Sequence, residues 1–427
     1  MSALVIKAVK HLKGEITLPG DKSISHRALL ISALAEGESF LEGVQEGGDC
    51  CSTFQALIGF GVEIEKEGQR LLVKGKGAKG FQESDRVIDC GNSGTTMRLL
   101  SGIAAGLPYT TFLDGDASLR KRPMARIAEP LRQMGARVLG QKGDFPPLSI
   151  RGGSLSGIEY PMPVASAQVK SCLLLAGLFA SGETVIIEPF QTRDHTERML
   201  KYFGVSLKSK GNIISVKGGQ RLSARQFKIP GDFSAAAFFL TAAVIVPRAE
   251  LLIKRSGLNP TRTAFLQVLQ EMGAGISIEN QREESGEPVG DIIVRSGAPL
   301  KGVTVSGSLI PNLIDEIPLL AILGIFARGK TEIKDAKELR IKESDRIASL
   351  VTELRRMSVE IEEKEDGFVI FGPQKIKGAR VYSHLDHRIA MSLAVAGLAA
   401  EGETVIEDSE CIAISFPDFE RTLLSLL

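Results

Sequence analysis

The chain has little that would mark a disulfide-bonded or metal-binding protein. Its five cysteines are odd in number and scattered, with two of them adjacent at Cys50 and Cys51, so we expect reduced thiols. Of the five histidines, His384 and His387 could form a metal pair, but no cysteine or second histidine cluster accompanies them. We therefore expect no metal site.

An excess of one charge and long apolar runs are also missing. The 52 Lys and Arg residues nearly balance the 51 Asp and Glu residues, so no global field recruits nucleic acid or an anionic membrane. The longest apolar stretches, near residues 235–246 and 317–327, are too short to span a bilayer, and no secretory signal opens the chain. These absences favour a soluble cytoplasmic protein.

What the sequence does contain is an internal repeat. A polar cluster runs six times directly into a helix-length stretch of Ala, Leu, Ile and Val, with a spacing of about 70 residues. Helices that are apolar on nearly every face must be buried all round. The clusters begin at Asp21, Asn92, Ser166, Asp232, Asp315 and Asp386.

Each repeat also carries a second, more polar helix, and a β-hairpin usually follows it. Pro at the first helical position and Gly just after the last one are typical of helix ends. Hairpin turns are predicted at residues 210–212 and 365–367. Second helices are predicted to begin at Pro123, Asp194, Pro260, Ser344 and Pro417, and glycine caps are predicted at Gly135, Gly204 and Gly273.

The sixth repeat reaches Leu427 without a hairpin, whereas unassigned strand-like segments lie at residues 4–6 and 15–18. We therefore predict that the start of the chain joins the sheet that its end leaves incomplete. The predicted architecture has two α/β domains of three repeats each. One comprises residues 15–228, and the other comprises residues 1–14 and 229–427, so each is long enough to bury a sizeable core.

Cations are concentrated where these helices begin. A helix N-terminus carries unpaired N–H groups and the positive end of the helix dipole, so it usually attracts Asp and Glu. Cations placed there, in a chain of near-zero net charge, favour a multiply anionic small ligand over ordinary surface pairing. The cations are Lys22, Arg27, Arg98, Arg122, Arg193, Arg346 and Arg388.

Two carboxylate positions are candidates for acid or base chemistry. Asp315 and Glu316 open an apolar helix, and Glu343 lies between Lys342 and Arg346. Partial burial beside cations can tune the pKa of a carboxyl group. The alternative is that Asp315 is only a helix N-cap and Glu343 only a salt-bridge partner.

Five segments in order along the whole chain resemble the 5-enolpyruvylshikimate-3-phosphate synthase family. The fold of that family is a two-domain inside-out α/β barrel, in which each domain has three βαβαββ units with buried parallel helices, and this agrees with the six repeats. The segments are residues 19–27 (PGDKSISHR), 91–98 (GNSGTTMR), 122–124 (RPM), 341–346 (IKESDR) and 386–388 (DHR).

The resemblance implies an enzyme of the shikimate pathway to chorismate and the aromatic amino acids. It would transfer the enolpyruvyl group of phosphoenolpyruvate to the 5-hydroxyl of shikimate 3-phosphate and release phosphate through a tetrahedral intermediate. No metal or organic cofactor is implied, and we expect a monomer. Both substrates are anions, which would account for the cations at the helix starts.

The resemblance also assigns residues to the two substrates. Asp315 is the expected base for the hydroxyl proton, and Glu343, with Lys22, is the expected acid that protonates C3. Contacts to phosphoenolpyruvate are expected from Lys22, Gly94, Arg122, Gln168, Arg346 and Arg388. Contacts to shikimate 3-phosphate are expected from Lys22, Ser23, Arg27, Ser166, Ala167, Gln168, Arg193, Asp315 and Lys342.

Two positions bear on the herbicide glyphosate, which inhibits this family. Many members have Lys where this chain has Ile414, so one phosphoenolpyruvate cation is missing, as in the branch that is often tolerant. Tolerant members often carry Ala at the position of Gly94, however, where its methyl group crowds the inhibitor. We therefore predict partial sensitivity.

Two alternative functions stay open. The related enolpyruvyl transferase that acts on UDP-N-acetylglucosamine usually has a cysteine in the loop before the Arg122 position, whereas residues 116–121 (DASLRK) here contain no thiol. A non-catalytic repeat scaffold that binds protein partners would use the polar helix starts only as caps.

Overall fold

The computed structural model of the chain describes residues 3–427, in which helices and short strands alternate in a mixed α/β pattern. The described residues contain thirteen α-helices: α1 (Lys22–Leu34), α2 (Gly48–Gly59), α3 (Gly94–Gly106), α4 (Ala125–Gln133), α5 (Ala167–Gly177), α6 (His195–Tyr202), α7 (Phe233–Ile245), α8 (Ala264–Glu271), α9 (Ile310–Leu313), α10 (Ile317–Phe326), α11 (Arg346–Arg356), α12 (His387–Gly397) and α13 (Phe419–Leu424). The described strands are β1 (Ala3–Lys7), β2 (Lys13–Thr17), β3 (Ala35–Glu42), β4 (Glu63–Glu67), β5 (Arg70–Lys76), β6 (Ile88–Asp89), β7 (Thr110–Asp114), β8 (Arg137–Gln141), β9 (Phe145–Arg151), β10 (Glu159–Pro161), β11 (Glu183–Ile187), β12 (Leu207–Lys210), β13 (Ile213–Lys217), β14 (Leu222–Ser223), β15 (Gln226–Lys228), β16 (Glu250–Gly257), β17 (Gly275–Glu284), β18 (Glu287–Arg295), β19 (Thr304–Val305), β20 (Gly329–Ile333), β21 (Ile361–Lys364), β22 (Gly367–Gly372), β23 (Arg380–Tyr382) and β24 (Glu403–Glu407).

The chain divides into two compact units, each with its own hydrophobic core. We call residues 20–229 and 284–287 the N-terminal unit, and the residues up to Pro19 together with 230–283 and 288–427 the C-terminal unit. The division into folding domains at residues 14/15 and 228/229 stays a prediction, and the compact units divide the chain after Pro19 and after Ile229 instead.

Six helices are buried almost all round, as their composition predicts. They are α1, α3 and α5 in the N-terminal unit and α7, α10 and α12 in the C-terminal unit, and nearly every residue of α7 and α10 is buried. Each begins at one of the six polar clusters. The polar clusters therefore lie together with the first turns of helices whose apolar bodies form the cores.

Three sheets surround the buried helices of each unit. In most of them a parallel strand pair is extended by an antiparallel hairpin, as in β10–β11–β13–β12. The other sheets of the N-terminal unit have the orders β14–β3–β5–β4, with β15 also on β3, and β6–β7–β9–β8. Those of the C-terminal unit have the orders β2–β16–β18–β17, β19–β20–β22–β21 and β1–β24–β23.

The first strand completes the last sheet, as predicted, because β1 pairs antiparallel with β24. The second strand does not follow this prediction. Strand β2 pairs in parallel with β16, so residues 15–18 extend the sheet of the fourth repeat rather than that of the sixth. The edge strand of any sheet has unpaired backbone N–H and C=O groups on one side. The sequence pattern of β2 does not specify which of several such edges it pairs with.

The second helices begin later than predicted. Met124 is the N-cap of α4 and Thr263 is the N-cap of α8, so Pro123 and Pro260 precede their helices instead of opening them. The predicted glycine caps are confirmed, since Gly135, Gly204 and Gly273 have φ values of 109°, 96° and 92°. This left-handed conformation is one that glycine adopts without a steric cost. Both predicted hairpin turns, at 210–212 and 365–367, are also confirmed.

Helices α3 and α5 approach each other closely at a glycine. A Cβ added to Gly102 would lie 2.2 Å from the carbonyl oxygen of Cys172, so any other residue would push the two helices apart. This contact lies about two turns after the start of α3 and about one and a half turns after the start of α5, and it therefore fixes how near their first turns lie to each other.

The hairpin formed by β17 and β18 has its tip, residues 284–287, in the N-terminal unit. Glu287 Oε1 lies 2.8 Å from Nδ1 of His195, and both side chains are buried. Ser285 Oγ accepts a hydrogen bond from the backbone N–H of Lys228 at 3.0 Å. The N-terminal unit is thus completed by a segment that follows its main part in the chain.

Within residues 3–427, no single helix is long and apolar enough to cross a membrane. One bent pair, residues 307–313 and 317–326 with 107° between its helices, meets the length and composition criteria. Its second member is α10, whose residues are buried in the core of the C-terminal unit.

Candidate active site

In the N-terminal unit, the start of α1 brings two guanidinium groups to one serine. Arg27 is buried, and it donates hydrogen bonds to Thr196 Oγ1 at 2.7 Å and to the carbonyl oxygen of Ser23 at 2.8 Å. Arg193 Nη1 donates to Oγ of the same Ser23 at 3.1 Å. Burial and the neighbouring Arg193 lower the pKa of Arg27 to about 10. Concentrated positive charge of this kind favours the binding of an anion.

Lys22, the first residue of α1, forms an ion pair with Asp49 of α2 at 3.0 Å. Both side chains are largely buried, with exposed fractions of 16% and 12%. The ammonium group therefore lies in a fixed place at the helix start. Sequence reasoning missed Asp49, because nothing in its local sequence indicates a partner 27 residues away.

The starts of α3 and α5 are joined by one side-chain amide. Gln168 accepts a hydrogen bond from Arg98 Nη1 at 2.6 Å and donates one to Thr95 Oγ1 at 2.8 Å. Ser166 caps α5 by accepting from the backbone N–H of Val169, and Ala167 is the first residue of that helix. The structure therefore brings the predicted residues of α3 and α5 together.

Arg122 and Gly94 lie beside this pair of helix starts. Arg122 Nη2 donates to Asn92 Oδ1 at 2.7 Å, just before α3. A Cβ added to Gly94 would lie 2.9 Å from Nη1 of Arg98 and 3.5 Å from Nη1 of Arg122. The guanidinium groups of Arg98 and Arg122 thus occupy the space next to Gly94.

A fully buried lysine supports the segment that carries Arg193. Lys170 Nζ lies 3.0 Å from Glu188 and 2.7 Å from Glu197, and it donates to the carbonyl oxygen of Thr192 at 3.3 Å. A buried charge is stable only when it is paired, so this cluster fixes the backbone next to Arg193. The sequence alone gave no sign of it, because Lys170 stands within an apolar stretch.

In the C-terminal unit, Arg346 at the start of α11 is the centre of a carboxylate cluster. Its guanidinium lies 2.8 Å from Asp386, 2.6 Å from Glu343 and 3.4 Å from Asp315, and the residue is only 2% exposed. Burial alone would lower the pKa of Arg346, but the three carboxylates outweigh it and raise the pKa. Arg346 therefore stays charged and links α11 to the starts of α10 and α12.

Asp315 is held between cations just before α10. Its Oδ1 lies 3.4 Å from Arg346 and 3.4 Å from Nε of Arg388, and its side chain is 16% exposed. The N-cap position of α10 is Glu316, so the alternative that Asp315 is only an N-cap is wrong. The carboxylate of Asp315 therefore has a fixed position and stays partly exposed.

Lys342 and Glu343 precede α11 and differ in their surroundings. Glu343 is a salt-bridge partner of Arg346, as the alternative reading of its sequence predicts. Burial lowers the pKa of Lys342, although Glu338 at 3.6 Å opposes this shift. Ile414, the position at which the resemblance led us to expect Lys in many family members, is half-buried and packs against the core of this unit.

Among the residues that the structure describes, no group of three or more His, Cys, Asp or Glu side chains could hold a metal ion. His384 Nε2 instead lies 2.9 Å from the buried carboxylate of Glu353, and His387 is buried at the start of α12. All five cysteines are free.

The buried His26 of α1 makes the stability of the chain depend on pH. Burial, then the charges of Lys22 and Arg27, lower the pKa of His26 well below its usual value of 6.5. Because the pKa is lower in the folded state than in the unfolded state, this contribution to stability is complete above about pH 6.5 and is lost as the pH falls below it. We expect the free energy of unfolding to fall by up to about 1.4 kcal/mol per pH unit from this group.

The measurement is urea unfolding followed by circular dichroism between about pH 8 and pH 5. His26→Asn should flatten the acid limb of the stability curve, because it removes the titrating ring. His11→Asn is the matched control, since His11 is exposed and its replacement should leave the limb unchanged. Equal slopes for the wild type and His26→Asn would contradict the prediction.

The family model of EPSP synthase (3-phosphoshikimate 1-carboxyvinyltransferase) matches residues 6–423. Proteins named 3-phosphoshikimate 1-carboxyvinyltransferase from Thermodesulfovibrio yellowstonii and a Synechococcus strain are 53% and 52% identical to the chain and match 99% of it, and 99% and 96% of their own lengths. A solved structure of EPSP synthase from Acinetobacter baumannii is 43% identical, with a TM-score of 0.89 over 99% of this chain and 98% of that one. The extent of these matches shows that the chain belongs to the EPSP synthase family.

Proposed function

We propose that the chain transfers the enolpyruvyl group of phosphoenolpyruvate to the 5-hydroxyl of shikimate 3-phosphate, in the biosynthesis of aromatic amino acids. Membership of the EPSP synthase family supports this reaction. The observation that carries the assignment of the site is the cluster in which Arg346 and Arg388 enclose the carboxylate of Asp315. Such a cluster offers anion-binding groups and a base in one place.

Shikimate 3-phosphate would bind through the groups at the starts of α1 and α5. Arg27 and Ser23 would hold its ring and carboxylate, and Arg193 would hold its phosphate together with Ser166 and Ala167. Arg27 donates to the carbonyl oxygen of Ser23 and Arg193 donates to its hydroxyl, so both guanidinium groups lie beside this serine, which supports the binding of an anionic ligand here. Lys22, Gln168, Asp315 and Lys342 complete the proposed set.

Phosphoenolpyruvate would be held by guanidinium groups on its phosphate and carboxylate. The proposed contacts are Lys22, Gly94, Arg122, Gln168, Arg346 and Arg388. Guanidinium groups form paired, charge-assisted hydrogen bonds with carboxylates and phosphates, which a single ammonium group does not reproduce. The position of Gly94 beside Arg98 and Arg122 supports close approach of the ligand to the backbone there.

The reaction would then proceed in two proton-coupled steps. The substrate 5-hydroxyl oxygen adds to C2 of phosphoenolpyruvate while Asp315 accepts its proton, and Glu343, with Lys22, delivers a proton to C3. The tetrahedral intermediate then loses phosphate from C2 as a C3 proton returns to the enzyme, which forms the C2=C3 double bond of the enol ether product. The proton transfers and the charge stabilisation in this scheme use only acidic, basic and cationic side chains of the chain.

We also propose that the protein works as a monomer in the cytoplasm. The balanced charge of the chain and the reduced state expected for its five cysteines support this location. Analytical ultracentrifugation would test the monomeric state, and a dimer at micromolar concentration would contradict it.

Phosphate release from phosphoenolpyruvate tests the function against its two alternatives. The purified chain is given phosphoenolpyruvate with shikimate 3-phosphate, with UDP-N-acetylglucosamine, or with neither. We expect release only with shikimate 3-phosphate. Release with the nucleotide sugar would identify the related transferase, and no release with either acceptor would favour a scaffold.

Replacing Gly94 with Ala should make the enzyme more tolerant of glyphosate. The added methyl group would press on the guanidinium of Arg98, which is held by Gln168, and overpacking of this kind costs about 1–3 kcal/mol. We expect the inhibition constant for glyphosate to rise about tenfold, with a smaller rise in the KM for phosphoenolpyruvate. An unchanged inhibition constant would refute the steric argument.

A further inference from the structure

Beneath Asp315 lies a second buried charge cluster that the proposed mechanism does not use. Arg262, between β16 and α8, donates a hydrogen bond through Nη2 to Ser234 Oγ in the first turn of α7. The same Nη2 lies 3.4 Å from Oε1 of Glu316, and Ser234 Oγ donates to this oxygen at 2.5 Å. Arg262 and Glu316 are 3% and 0% exposed, so both charges are removed from water.

The local sequence fixes where Arg262 lies. Asn259 Oδ1 accepts hydrogen bonds from the backbone N–H of Thr261 at 2.9 Å and from its hydroxyl at 2.7 Å. The carbonyl oxygen of Asn259 accepts from the N–H of Arg262 at 2.8 Å. This compact turn holds the backbone of Arg262 rigidly, so its side chain has a defined starting point.

The burial of this pair is costly, which points to a role beyond stability. Burial raises the pKa of Glu316, and the charge of Arg262 opposes that shift. Replacing a buried ion pair by apolar groups of similar volume is often neutral or stabilising, so retention of such a pair is weak evidence for a stabilising role. The pair lies directly next to Asp315, the proposed base, and this position points to a role in the reaction.

Arg262 approaches the second carboxylate oxygen of Asp315. Its Nη1 lies 3.9 Å from Oδ2 of Asp315, whereas Arg346 and Arg388 approach Oδ1. Asp315 and Glu316 are consecutive residues, so one guanidinium contacts two adjacent carboxylates and links them to the start of α7. Rotation of the Asp315 carboxylate would break contacts on both of its oxygens.

We propose that Arg262, anchored by Glu316 and Ser234, is a positioning residue that fixes the orientation of the Asp315 carboxylate for proton transfer. The inference rests on the proposed role of Asp315 as the base. Arg262 does not touch substrate in this scheme, and Glu316 supplies the buried countercharge that keeps its guanidinium in place. Losing either group would let the Asp315 carboxylate rotate without removing a substrate contact.

The test measures kcat and the KM of both substrates in four variants. Arg262→Met and Glu316→Gln should each lower kcat about tenfold, because a small loss of orientation in a reacting group costs one to two orders of magnitude. The KM values should change less than about threefold, since no substrate contact is lost. Arg262→Lys should recover part of the rate by keeping the charge. Glu353→Gln is the matched control, a buried glutamate of the same unit outside the site, and it should keep the wild-type kcat.

A double-mutant cycle with Asp315→Asn shows whether Arg262 acts through Asp315. If it does, Arg262→Met should lower the residual rate of Asp315→Asn less than about twofold. A full tenfold loss in that background, or wild-type kcat in a folded Arg262→Met or Glu316→Gln variant, would overturn the proposal. If Arg262→Met does not fold, the kcat of Glu316→Gln alone tests the proposal. This variant is expected to fold, because its amide oxygen can still accept the hydrogen bond from Ser234. Wild-type kcat in Asp315→Asn itself would instead reject the proposed base.

Discussion

Asp315→Asn should reduce turnover by about two to four orders of magnitude, which is the range that a positioned general base contributes. The amide keeps the size of the side chain but cannot accept the hydroxyl proton. Arg346 and Arg388 would still hold the site, so both substrates should bind with near wild-type affinity. Phosphate release gives kcat, and isothermal titration with shikimate 3-phosphate gives the affinity.

Glu343→Gln is the companion variant, since Glu343 is the proposed acid for C3. Its kcat should also fall, although less than that of Asp315→Asn, because Lys22 is proposed to share this step. Near wild-type turnover in both variants, with normal binding of both substrates, would rule out the assignment of these two carboxylates. Loss of binding in place of turnover would make Asp315 a substrate ligand only.

Arg346→Met should cause the largest loss of stability of any substitution in the site. Arg346 is 2% exposed and lies between the carboxylates of Asp315, Glu343 and Asp386. Removing one partner of a buried ion pair costs about 3–5 kcal/mol, because the remaining charges are left in a low-dielectric interior. We expect this loss in the free energy of unfolding, measured by circular dichroism in urea because the chain has no tryptophan.

The same variant should lose activity through phosphoenolpyruvate binding. Truncating one member of a buried, hydrogen-bonded charge pair costs 2–5 kcal/mol, so kcat/KM for phosphoenolpyruvate should fall by about a hundredfold or more. Arg421→Met, in α13 of the same unit, is the matched control. Arg421 is exposed and pairs at 3.0 Å with Asp418, which is exposed too, so its loss should change stability by less than about 1 kcal/mol. Equal stability of the two variants would show that the Arg346 cluster is no more than a surface network.

Sequence reasoning located the six helix starts because their signals are local. A capping residue and the apolar run after it lie within one stretch of chain, as at Asp21 and Asp386, whose side chains accept from Ile24 and Arg388. The glycine caps are equally local, since a left-handed residue is needed at one defined position. The residues of each half of the proposed site were therefore predictable from pattern and resemblance.

The partners of those residues were not predictable in the same way. Asp386 lies 40 positions from Arg346 along the chain, and Glu316 lies 54 positions from Arg262. No periodicity or composition specifies which buried charges meet over such separations, because the choice depends on how the helices pack. The start of α4 was misplaced by two residues: Pro123 fits a helix opening locally, but Met124 is the N-cap and the helix begins at Ala125.

The tip of the β17–β18 hairpin has a consequence for how the chain matures during synthesis. The ribosome delivers residues 20–229 well before Glu287, which contacts the buried His195. The earlier stretch can therefore collapse, yet its last internal contacts wait for a segment made more than fifty residues later. An excised fragment that ends at Ile229 would lack these contacts permanently. The N-terminal unit is therefore compact, but residues 20–229 alone do not complete it.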